Sequence, residues 1–348
     1  MKKNILICLD LIKHPFSGMG RVSADFSAQL SKTDDFEYSF LIPPGHNISY
    51  LNGKDKRILN MFRKFSSGYM RHYDICHVLH QLPKFSFRKA KKVVLTVHDL
   101  NYRYTKSSIK QKKYKRIVQT AINKADYICF ISEFTKNECF RYLQVPDHVP
   151  TAVIYNGVND LPAPSKQPEW CPKDEFLFSI GQFLTKKNFH VLIPFLKMLP
   201  ENVSLVIAGQ NQTGYGKELK VIIKEFHLEK RVILPGSVSE EEKSFLYQHC
   251  KAFVFPSIAE GFGLPVIEAM KCRKPVFCSD RTSLKEIGNR YAFFWHDFEP
   301  EQMLNVFEKG MAKFETDETF KEEQLKYANS YTWEKNVSEY IKIYQKLL

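Results

Sequence analysis

Short apolar runs rich in β-branched residues recur along this chain, most of them closed by Gly, Pro, Ser or Asp and separated by longer mixed segments. One series comprises NILICL, YSFLIP, ICHVL, VVLTV, YICFIS and AVIYNG, and a second comprises FLFSIG, SLVIAG, RVILPG, AFVFPS and PVFCSD. This pattern is typical of buried parallel strands that alternate with helices. The sequence therefore predicts an α/β protein with two doubly wound parallel-sheet domains.

The domain boundaries follow from a proline-rich stretch between the two series. LPAPSKQPEWCP, at 161–172, contains prolines that neither a helix nor a central strand would sustain. A chain of 348 residues also suits two domains. We expect an N-terminal domain over 1–160, a linker over 161–172, a C-terminal domain over 173–330 and a terminal helix over 331–348.

The cysteines and the apolar runs bear on the compartment. The eight cysteines form no Cys-x-x-Cys pair, several lie inside apolar runs, and no stretch reaches 18 uninterrupted apolar residues. The apolar run near the start is too short for a signal peptide. We expect reduced thiols and a cytoplasmic chain.

Basic residues are concentrated in the first half. Residues 1–165 contain 26 Lys or Arg and 13 Asp or Glu, whereas the remainder contains 25 of each. The densest stretch, RYTKSSIKQKKYKR, contains Arg103, Lys106, Lys110, Lys112, Lys113, Lys115 and Arg116. Such asymmetry predicts an anionic partner for one domain. An ordinary solvated helix face is the alternative.

Loops that follow parallel strands are where ligands bind in doubly wound sheets. In SIAEGFGLPVIEAMKC, Gly261, Gly263 and Pro265 predict a tight turn into a helix start that suits a phosphate group. Glu268 is expected near the first helical turn, either accepting a hydrogen bond from a sugar hydroxyl or capping the helix. Glu260 lies in the loop itself.

A second strand-end loop, FSIGQFLTKKN, contains Gly181 and the pair Lys186 and Lys187. Two ammonium groups at a helix start would offset the charge of a diphosphate. A solvated surface pair remains the alternative.

The first domain offers weaker signals. Gly18 and Gly20 follow the first strand, but the third glycine and the acidic residue of a dinucleotide fingerprint are missing, which disfavours a nicotinamide enzyme. His98 ends the run VVLTV and would be either a site residue or a structural histidine.

Several absent motifs narrow the chemistry. The sequence has no Asp-x-Asp pair, no phosphate-binding G-x-x-x-x-G-K-[ST] loop and no G-x-S-x-G elbow. Metal-dependent binding of a nucleotide diphosphate, P-loop hydrolysis and serine esterase chemistry all lose support. We expect no metal site and no cofactor.

PSIAEGFGLPVIEAM closely resembles the E-x7-E motif of retaining glycosyltransferases of family 4, which have the GT-B fold of two Rossmann-like domains facing across a cleft. GMGR, TVHDLNY, ADYICFISEFTKNE, VIYNGV, GQFLTKKN and YTWEKNVSEYIKIY extend the similarity over almost the whole chain. The resemblance implies that the terminal helix crosses back to the first domain.

The resemblance also implies residue roles. Glu268 would bind the ribose and Glu260 the donor sugar, with Lys187 and Lys186 neutralising the phosphates. The other implied donor-binding residues are Gly18, Gly20, Gly181, Val238, Gly261, Phe262, Gly263 and Leu264. His98 would contact the donor sugar or the acceptor, so that Glu260, His98 and Lys187 are the implied catalytic residues.

The sequence departs from the family pattern in the loop that contains Gln182, Lys186 and Lys187. Gln182 stands where many family members have Arg, and Lys186 with Lys187 resembles the basic pair of another subgroup with Lys in place of Arg.

Ser239 is expected to cap a helix with Glu242 in a capping box.

The implied reaction is metal-independent, retaining transfer of a hexose from GDP-mannose or a UDP-hexose to a glycan or lipid-linked acceptor in bacterial surface polysaccharide synthesis. The basic stretch would contact a phosphorylated acceptor or the anionic cytoplasmic face of the inner membrane, without nucleic acid as a partner. A nucleotide-sugar 2-epimerase of related fold and a non-enzymatic binder of anionic polymers are the alternatives.

Overall fold

The computed structural model describes 2–14, 17–46, 48–60, 68–83, 85–87 and 90–348. The chain divides into two compact units. The first consists of Met1–Gly157 together with Tyr331–Leu348, and the second of Val158–Ser330.

A parallel sheet forms the centre of the first unit. Its described strands are β1 (Asn4–Cys8), β2 (Glu37–Ile42), β3 (Asp55–Ile58), β4 (Ile75–Val78), β5 (Lys92–Val97), β6 (Tyr127–Phe130) and β7 (Thr151–Val153). They lie in the order β3-β2-β1-β4-β5-β6-β7. The order reverses at β1, so the loops after β1 and β4 diverge at the carboxyl edge, where doubly wound sheets bind ligands.

Helices connect these strands. The described ones are α1 (Gly18–Leu30), α2 (Tyr102–Thr105), α3 (Ser108–Ile122) and α4 (Glu133–Tyr142), with short 3₁₀ turns at Ser49–Leu51 and Gly68–His72. Helix α3 is amphipathic, because Val118, Ala121 and Ile122 are buried in the core while most of its other side chains are exposed.

The terminal residues also belong to the first unit. In the last helix, Trp333–Leu347, the hydroxyl of Tyr344 lies 2.6 Å from Nδ1 of the buried His77, and the ring of Tyr340 packs edge-on against Phe26. Asn336 donates to the carbonyl oxygen of Tyr155 at 2.8 Å. Aromatic packing and a buried polar network therefore fix this helix.

The second unit has its own parallel sheet. Its described strands are β8 (Phe176–Ile180), β9 (Ser204–Ala208), β10 (Val232–Gly236), β11 (Ala252–Phe255), β12 (Val276–Ser279) and β13 (Phe293–Trp295), in the order β10-β9-β8-β11-β12-β13. Its helices are α5 (Leu192–Lys197), α6 (Gly214–Glu225), α7 (Glu240–His249), α8 (Leu264–Lys271), α9 (Ser283–Gly288), α10 (Pro300–Thr316) and α11 (Glu318–Asn329). The last helix of the chain, Trp333–Leu347 in the first unit, is α12. Short 3₁₀ turns occur at Thr185–Lys187, Phe189–Val191 and Asn289–Tyr291.

Each apolar run singled out in the sequence forms a strand, so the prediction of two parallel-sheet α/β units is confirmed. The sequence did not reveal β3, an edge strand with the residues DKRI that is mostly exposed. The short edge strand β13 was also missed. The edge strand β3 need not be apolar on both faces, and its charged residues discourage pairing with other chains. Strand β13 has the apolar residues FFW but is only three residues long.

The proline-rich stretch at 161–172 is irregular and bonded to the second unit. The carbonyl oxygen of Pro162 accepts a hydrogen bond from Ser244 at 2.7 Å, and the N–H of Ser165 donates to the carbonyl oxygen of Glu241. Contacts with α7 thus hold this segment in place.

Candidate functional site

Two strand-end loops of the second unit meet because β8 and β11 are neighbours in the sheet. The N–H of Ile258 donates to the carbonyl oxygen of Lys186 at 2.8 Å. In return, the Lys186 ammonium donates to the carbonyl oxygen of Ala259 at 3.1 Å. The lysine pair and the EGFG loop therefore form one local structure.

Lys187 and Glu260 form a largely buried ion pair within it. Nζ of Lys187 lies 2.7 Å from Oε1 of Glu260, and the side chains are only 11% and 13% exposed. The Ser257 hydroxyl donates to the same carboxylate oxygen at 2.5 Å. The Lys187 ammonium also lies 4.7 Å from the centre of the Phe255 ring. Lys187 is therefore not the solvated surface lysine that the sequence left open.

Burial opposes ionisation of Glu260, but Lys187, Lys186 and hydrogen bonds from Lys187 and Ser257 outweigh it and lower its pKa to about 2. Burial lowers the pKa of Lys187, Lys186 lowers it further, and Glu260 opposes both. Glu260 is therefore a carboxylate at neutral pH. With the two lysines protonated, two positive charges surround one negative charge, which suits an anionic ligand.

Gly181 makes room for Lys187. Its backbone has φ +154°, and a Cβ at this position would lie 2.9 Å from Cε of Lys187. Glycine is required where a side chain or backbone approaches this closely. The structure thus places Gly181 beside the predicted phosphate-binding lysine.

Glu268 is the fifth residue of α8, directly after the first turn, so the alternative that it caps the helix as a first-turn acid is wrong. Gly263, with φ +116°, starts the helix at Leu264, and Pro265 lies in the first turn as predicted. The buried Glu268 carboxylate instead accepts hydrogen bonds from Lys243 at 3.2 Å and Tyr247 at 2.8 Å. It and Glu260 therefore have separate binding partners.

Lys243 and Tyr247 were not predicted as site residues. They lie one helical turn apart on α7 and therefore present their side chains on one face. The buried Lys243 also pairs with Glu240 at 2.8 Å. In the sequence, a lysine four residues before a tyrosine is only a weak indication of a binding site. Both side chains contact Glu268 only because α8 packs against α7.

The loop before α7 has the predicted capping box. The Ser239 hydroxyl accepts the N–H of Glu242 at 3.1 Å, and the Glu242 carboxylate accepts the N–H of Ser239 at 2.9 Å. The half-buried Val238 directly precedes this cap. In the EGFG loop, Phe262 is buried, and a Cβ on Gly263 would lie 2.8 Å from Leu284.

The two glycines predicted as site residues in the first unit, Gly18 and Gly20, differ in how closely they are packed. The N–H of Gly20 donates to the Ser17 hydroxyl at 3.0 Å, and a Cβ on Gly20 would collide with the carbonyl oxygen of His14. Gly18 begins α1, and a Cβ there would meet no described atom within 4 Å. Gly20 thus has a clear packing function, whereas Gly18 does not. Positions 15 and 16 of this predicted loop lie outside the described residues.

His98 is buried at the end of β5. Its Nε2 donates to the carbonyl oxygen of Leu79 at 2.7 Å, and its own N–H donates to Gln81. Burial is the main cause that lowers the pKa of His98 to about 4, with the nearby His80 adding to it and the carbonyl contact opposing it. The imidazole is therefore neutral at physiological pH.

A buried Asp10 and His80 pair lies at the same edge and was missed. His80 Nε2 lies 3.0 Å from both carboxylate oxygens of Asp10, while its Nδ1 accepts the N–H of Leu82. The signal was available, because the two residues follow the neighbouring strands β1 and β4.

The basic stretch is exposed with one exception. Its exposed members are Lys106, Lys110, Lys112, Lys113, Lys115 and Arg116. Arg103 instead forms an ion pair with Glu138 at 2.5 Å and lies 3.1 Å above the Tyr142 ring. Arg103 is thus held by contacts within the first unit.

None of the described helices is long and apolar enough to cross a bilayer.

Groups of three or more His, Cys, Asp or Glu side chains that could hold a metal ion are not found in the described part of the chain. The eight cysteines are free thiols.

Two family models match the chain in succession. The model described as Glycosyltransferase Family 4 matches 24–160, and the model described as Glycosyl transferases group 1 matches 163–330. This chain belongs to the group 1 glycosyltransferases of family 4. The predicted membership of family 4 is confirmed.

Several relatives of this glycosyltransferase have been named. O-antigen chain mannosyltransferase RfbU of Salmonella typhimurium is 29% identical over 221 residues, which are 63% of this chain and 60% of that protein. O-antigen chain mannosyltransferase B of Escherichia coli is 25% identical over 322 residues, covering 81% and 84%. Serotype-specific mannosyltransferase WbdA of Escherichia coli is 32% identical over 162 residues, only 19% of its length.

Solved structures share the fold over nearly the whole glycosyltransferase chain. HepE of Anabaena, in complex with UDP and glucose, has a TM-score of 0.78 at 17% identity and covers 99% of this chain and 100% of its own. WaaG, a glycosyltransferase involved in lipopolysaccharide biosynthesis, has a TM-score of 0.70 at 12% identity, covering 97% and 99%. The GT-B fold class is thereby confirmed.

Proposed function

We propose that this protein transfers a hexose, with retention of anomeric configuration, from a nucleotide-diphosphate sugar to a glycan or lipid-linked acceptor in bacterial surface polysaccharide synthesis. The observation that carries the proposal is the convergence of Lys186, Lys187 and Glu260 from two adjacent strand-end loops. Two ammonium groups beside one fixed carboxylate suit a ligand that combines a diphosphate with a sugar.

The donor would extend between the two glutamates. The buried Glu268 carboxylate, oriented by Lys243 and Tyr247, would accept hydrogen bonds from the ribose hydroxyls. Lys186 and Lys187 would bind the diphosphate, and Glu260 would face the sugar. Val238, just before the capped start of α7, is assigned to the base.

The chemistry follows from these charges. As the bond between the anomeric carbon and the diphosphate breaks, negative charge grows on the phosphate oxygen and oxocarbenium character grows on the sugar. Lys186 and Lys187 would stabilise the first charge and ionised Glu260 the second. The acceptor hydroxyl would attack from the face that the phosphate leaves, and that phosphate would take the proton. This route needs no carboxylate nucleophile.

We favour GDP-mannose as the donor because the named relatives with substantial similarity are O-antigen mannosyltransferases. UDP-hexoses are the second choice. The lysine pair supplies the positive charge that a divalent cation would otherwise bring to the diphosphate, so we propose that turnover is independent of added metal. The implied roles of Gly18 and His98 remain predictions.

One experiment tests the proposal as a whole. Purified protein is screened against nucleotide-sugars for thermal stabilisation, because a donor at 100 times its dissociation constant should stabilise the fold by about 2.7 kcal/mol. Turnover of the selected donor is then followed with EDTA and with Mg²⁺, and NMR of the product gives its anomeric configuration. Lys187→Met should abolish stabilisation, whereas Lys251→Met, in an exposed pair with Glu175, should not.

Three results would contradict parts of this function. Absence of stabilisation and turnover with every donor would exclude transfer from nucleotide-sugars. Inversion of configuration would exclude the front-face route, and turnover only with Mg²⁺ would exclude metal independence. Formation of an epimer without acceptor would favour the 2-epimerase alternative.

We also propose that the exposed part of α3 contacts an anionic surface, either the inner membrane or a phosphorylated lipid-linked acceptor. The basic face is defined here by Lys110, Lys112, Lys113 and Lys115. Each base near an anionic membrane contributes about 1 kcal/mol. The apolar side of α3 is buried in the core except for Ile109, which is 80% exposed, so the contact would be mainly electrostatic.

Vesicle binding tests this contact. Changing the four lysines of the basic face to Gln should weaken binding to vesicles with anionic lipid by more than tenfold. The matched control changes four exposed lysines of the second unit to Gln: Lys217, Lys220, Lys224 and Lys230. If both variants bind as well as the parent, the membrane part of the proposal fails.

A further inference from the structure

Thr282 has a backbone conformation that threonine rarely adopts. Its φ is 53° and its ψ is −136°, and the N–H of Leu284 donates to the carbonyl oxygen of Arg281 at 3.2 Å. These angles fit the first central position of a type II′ turn, and the hydrogen bond closes the same four residues at the start of α9. Glycine is preferred there, and a β-branched residue is strained.

The Thr282 hydroxyl gives a reason for tolerating this strain. It accepts the backbone N–H of Glu260 at 3.0 Å. Glycine would relax the turn but could not make this hydrogen bond. Strained residues of this kind concentrate at functional sites, where the surrounding structure holds them.

Two neighbouring hydroxyls hold the same loop. Ser283 donates to the carbonyl oxygens of Phe262 at 2.8 Å and Glu260 at 3.1 Å. Ser279 donates to the carbonyl oxygen of Ser257. We call Ser279, Thr282 and Ser283 the hydroxyl clamp. The clamp binds both the N–H and the carbonyl group of Glu260, so its backbone is fixed from two sides.

We propose that Thr282 is a positioning residue that holds Glu260 in the geometry needed for transfer, and that its strained turn is kept for this purpose. The inference rests on the donor-sugar role proposed for Glu260. Lys187 and Ser257 both contact Oε1 of Glu260, so they hold only one oxygen of the carboxylate. The rest of the side chain is positioned by its backbone, and loss of the Thr282 contact would therefore shift the carboxylate relative to the sugar. Nucleotide binding through Glu268 should be largely unaffected.

Three substitutions separate the hydroxyl from the strain. Thr282→Ser keeps the hydroxyl, Thr282→Val keeps the branched shape but loses the hydroxyl, and Thr282→Gly removes both hydroxyl and strain. Because small misplacements at a reacting centre cost up to about a hundredfold in rate, Val and Gly should lower kcat by about tenfold to a hundredfold. Donor KM and the Kd for the nucleoside diphosphate should stay within about threefold.

The Ser variant should keep kcat within about threefold of the parent. The Gly variant should melt no lower than the Val variant, because the turn is relaxed. Thr319→Val, an exposed threonine of α11, is the matched control and should leave kcat unchanged. A folded Val variant with kcat within twofold of the parent would overturn the inference. Loss of kcat and nucleotide binding together in all three variants would indicate a merely structural role and would also overturn it.

Hydrogen exchange makes the test independent of the proposed reaction. Thr282→Val should speed exchange in the peptide that covers 257–263, and Thr282→Ser should not. If the parent transfers no sugar from any donor, the proposed function has failed, while the exchange result still decides whether Thr282 holds the Glu260 backbone. Unchanged exchange in the Val variant would contradict that.

Discussion

Lys243 offers the sharpest test of how the site is held together. Its ammonium lies 3.2 Å from Oε1 of Glu268 and 2.8 Å from Oε2 of Glu240. The side chains of Lys243 and Glu268 are 5% and 8% exposed, whereas Glu240 is 52% exposed. Lys243→Met keeps much of the volume but removes the positive charge that faces a buried carboxylate.

The magnitude follows from this burial. Removing one partner of a buried pair costs about 3–5 kcal/mol because the other charge is no longer compensated. The hydrogen bond from Tyr247 to Glu268 offsets part of this, so we expect a loss of about 3 kcal/mol in the free energy of unfolding. For a unit of this size the melting temperature should fall by about 6–12 °C.

The assay compares thermal and urea unfolding of matched variants. Lys251→Met breaks an exposed pair at 2.7 Å and should cost at most about 1 kcal/mol. Adding Glu268→Gln to Lys243→Met should recover part of the loss, because a neutral carboxamide needs no counter-charge. If Lys243→Met costs no more than Lys251→Met, or if the two site substitutions are simply additive, the buried-pair reasoning is refuted.

Three further predictions concern the glutamates and Gly181. In steady-state kinetics, Glu260→Gln should lower kcat more than tenfold, and Glu268→Gln should mainly raise the donor KM; equal, negligible effects would contradict the assignment. Because the Glu260 pKa falls from 4.5 to about 2 on folding, its ionised form should stabilise the fold above about pH 4.5 and lose this effect as pH falls towards 2. Urea unfolding of Glu260→Gln should show a shallower loss of stability across this window than the parent. Gly181→Ala, which pushes against Lys187, should raise the donor KM, whereas Gly214→Ala has open space and should not, as a donor titration would show.

The sequence was informative where burial controls residue choice. Parallel strands covered on both faces need continuous apolar runs, and those runs located most strands. The edge strand Asp55–Ile58 escaped because an edge faces solvent and is charged. The helix start at Leu264 was foreseen from Gly263 and Pro265, but the hydrogen-bond partners of Glu268 were not.

Part of the candidate site was predictable because the order of buried strands determines which loops meet. Glu260, Lys186 and Lys187 lie in strand-end loops whose meeting follows from sheet order. Lys243 could not be foreseen, because its partner Glu268 lies on another helix and their contact depends on tertiary packing. Thr282 was invisible for a different reason: the chain uses threonine where a turn would normally be signalled by glycine.

The terminal helix has a consequence for synthesis of the chain on the ribosome. The buried imidazole of His77 lies against the hydroxyl of Tyr344, a residue 267 positions later. Translation proceeds from the N-terminus at about 5–20 residues per second. The first unit therefore waits many seconds for its last element, while all residues of the second unit are made before it. We expect the second unit to be fully synthesised before the first unit can finish folding. During this interval, the face of α1 that later packs against Tyr340 is exposed to chaperones.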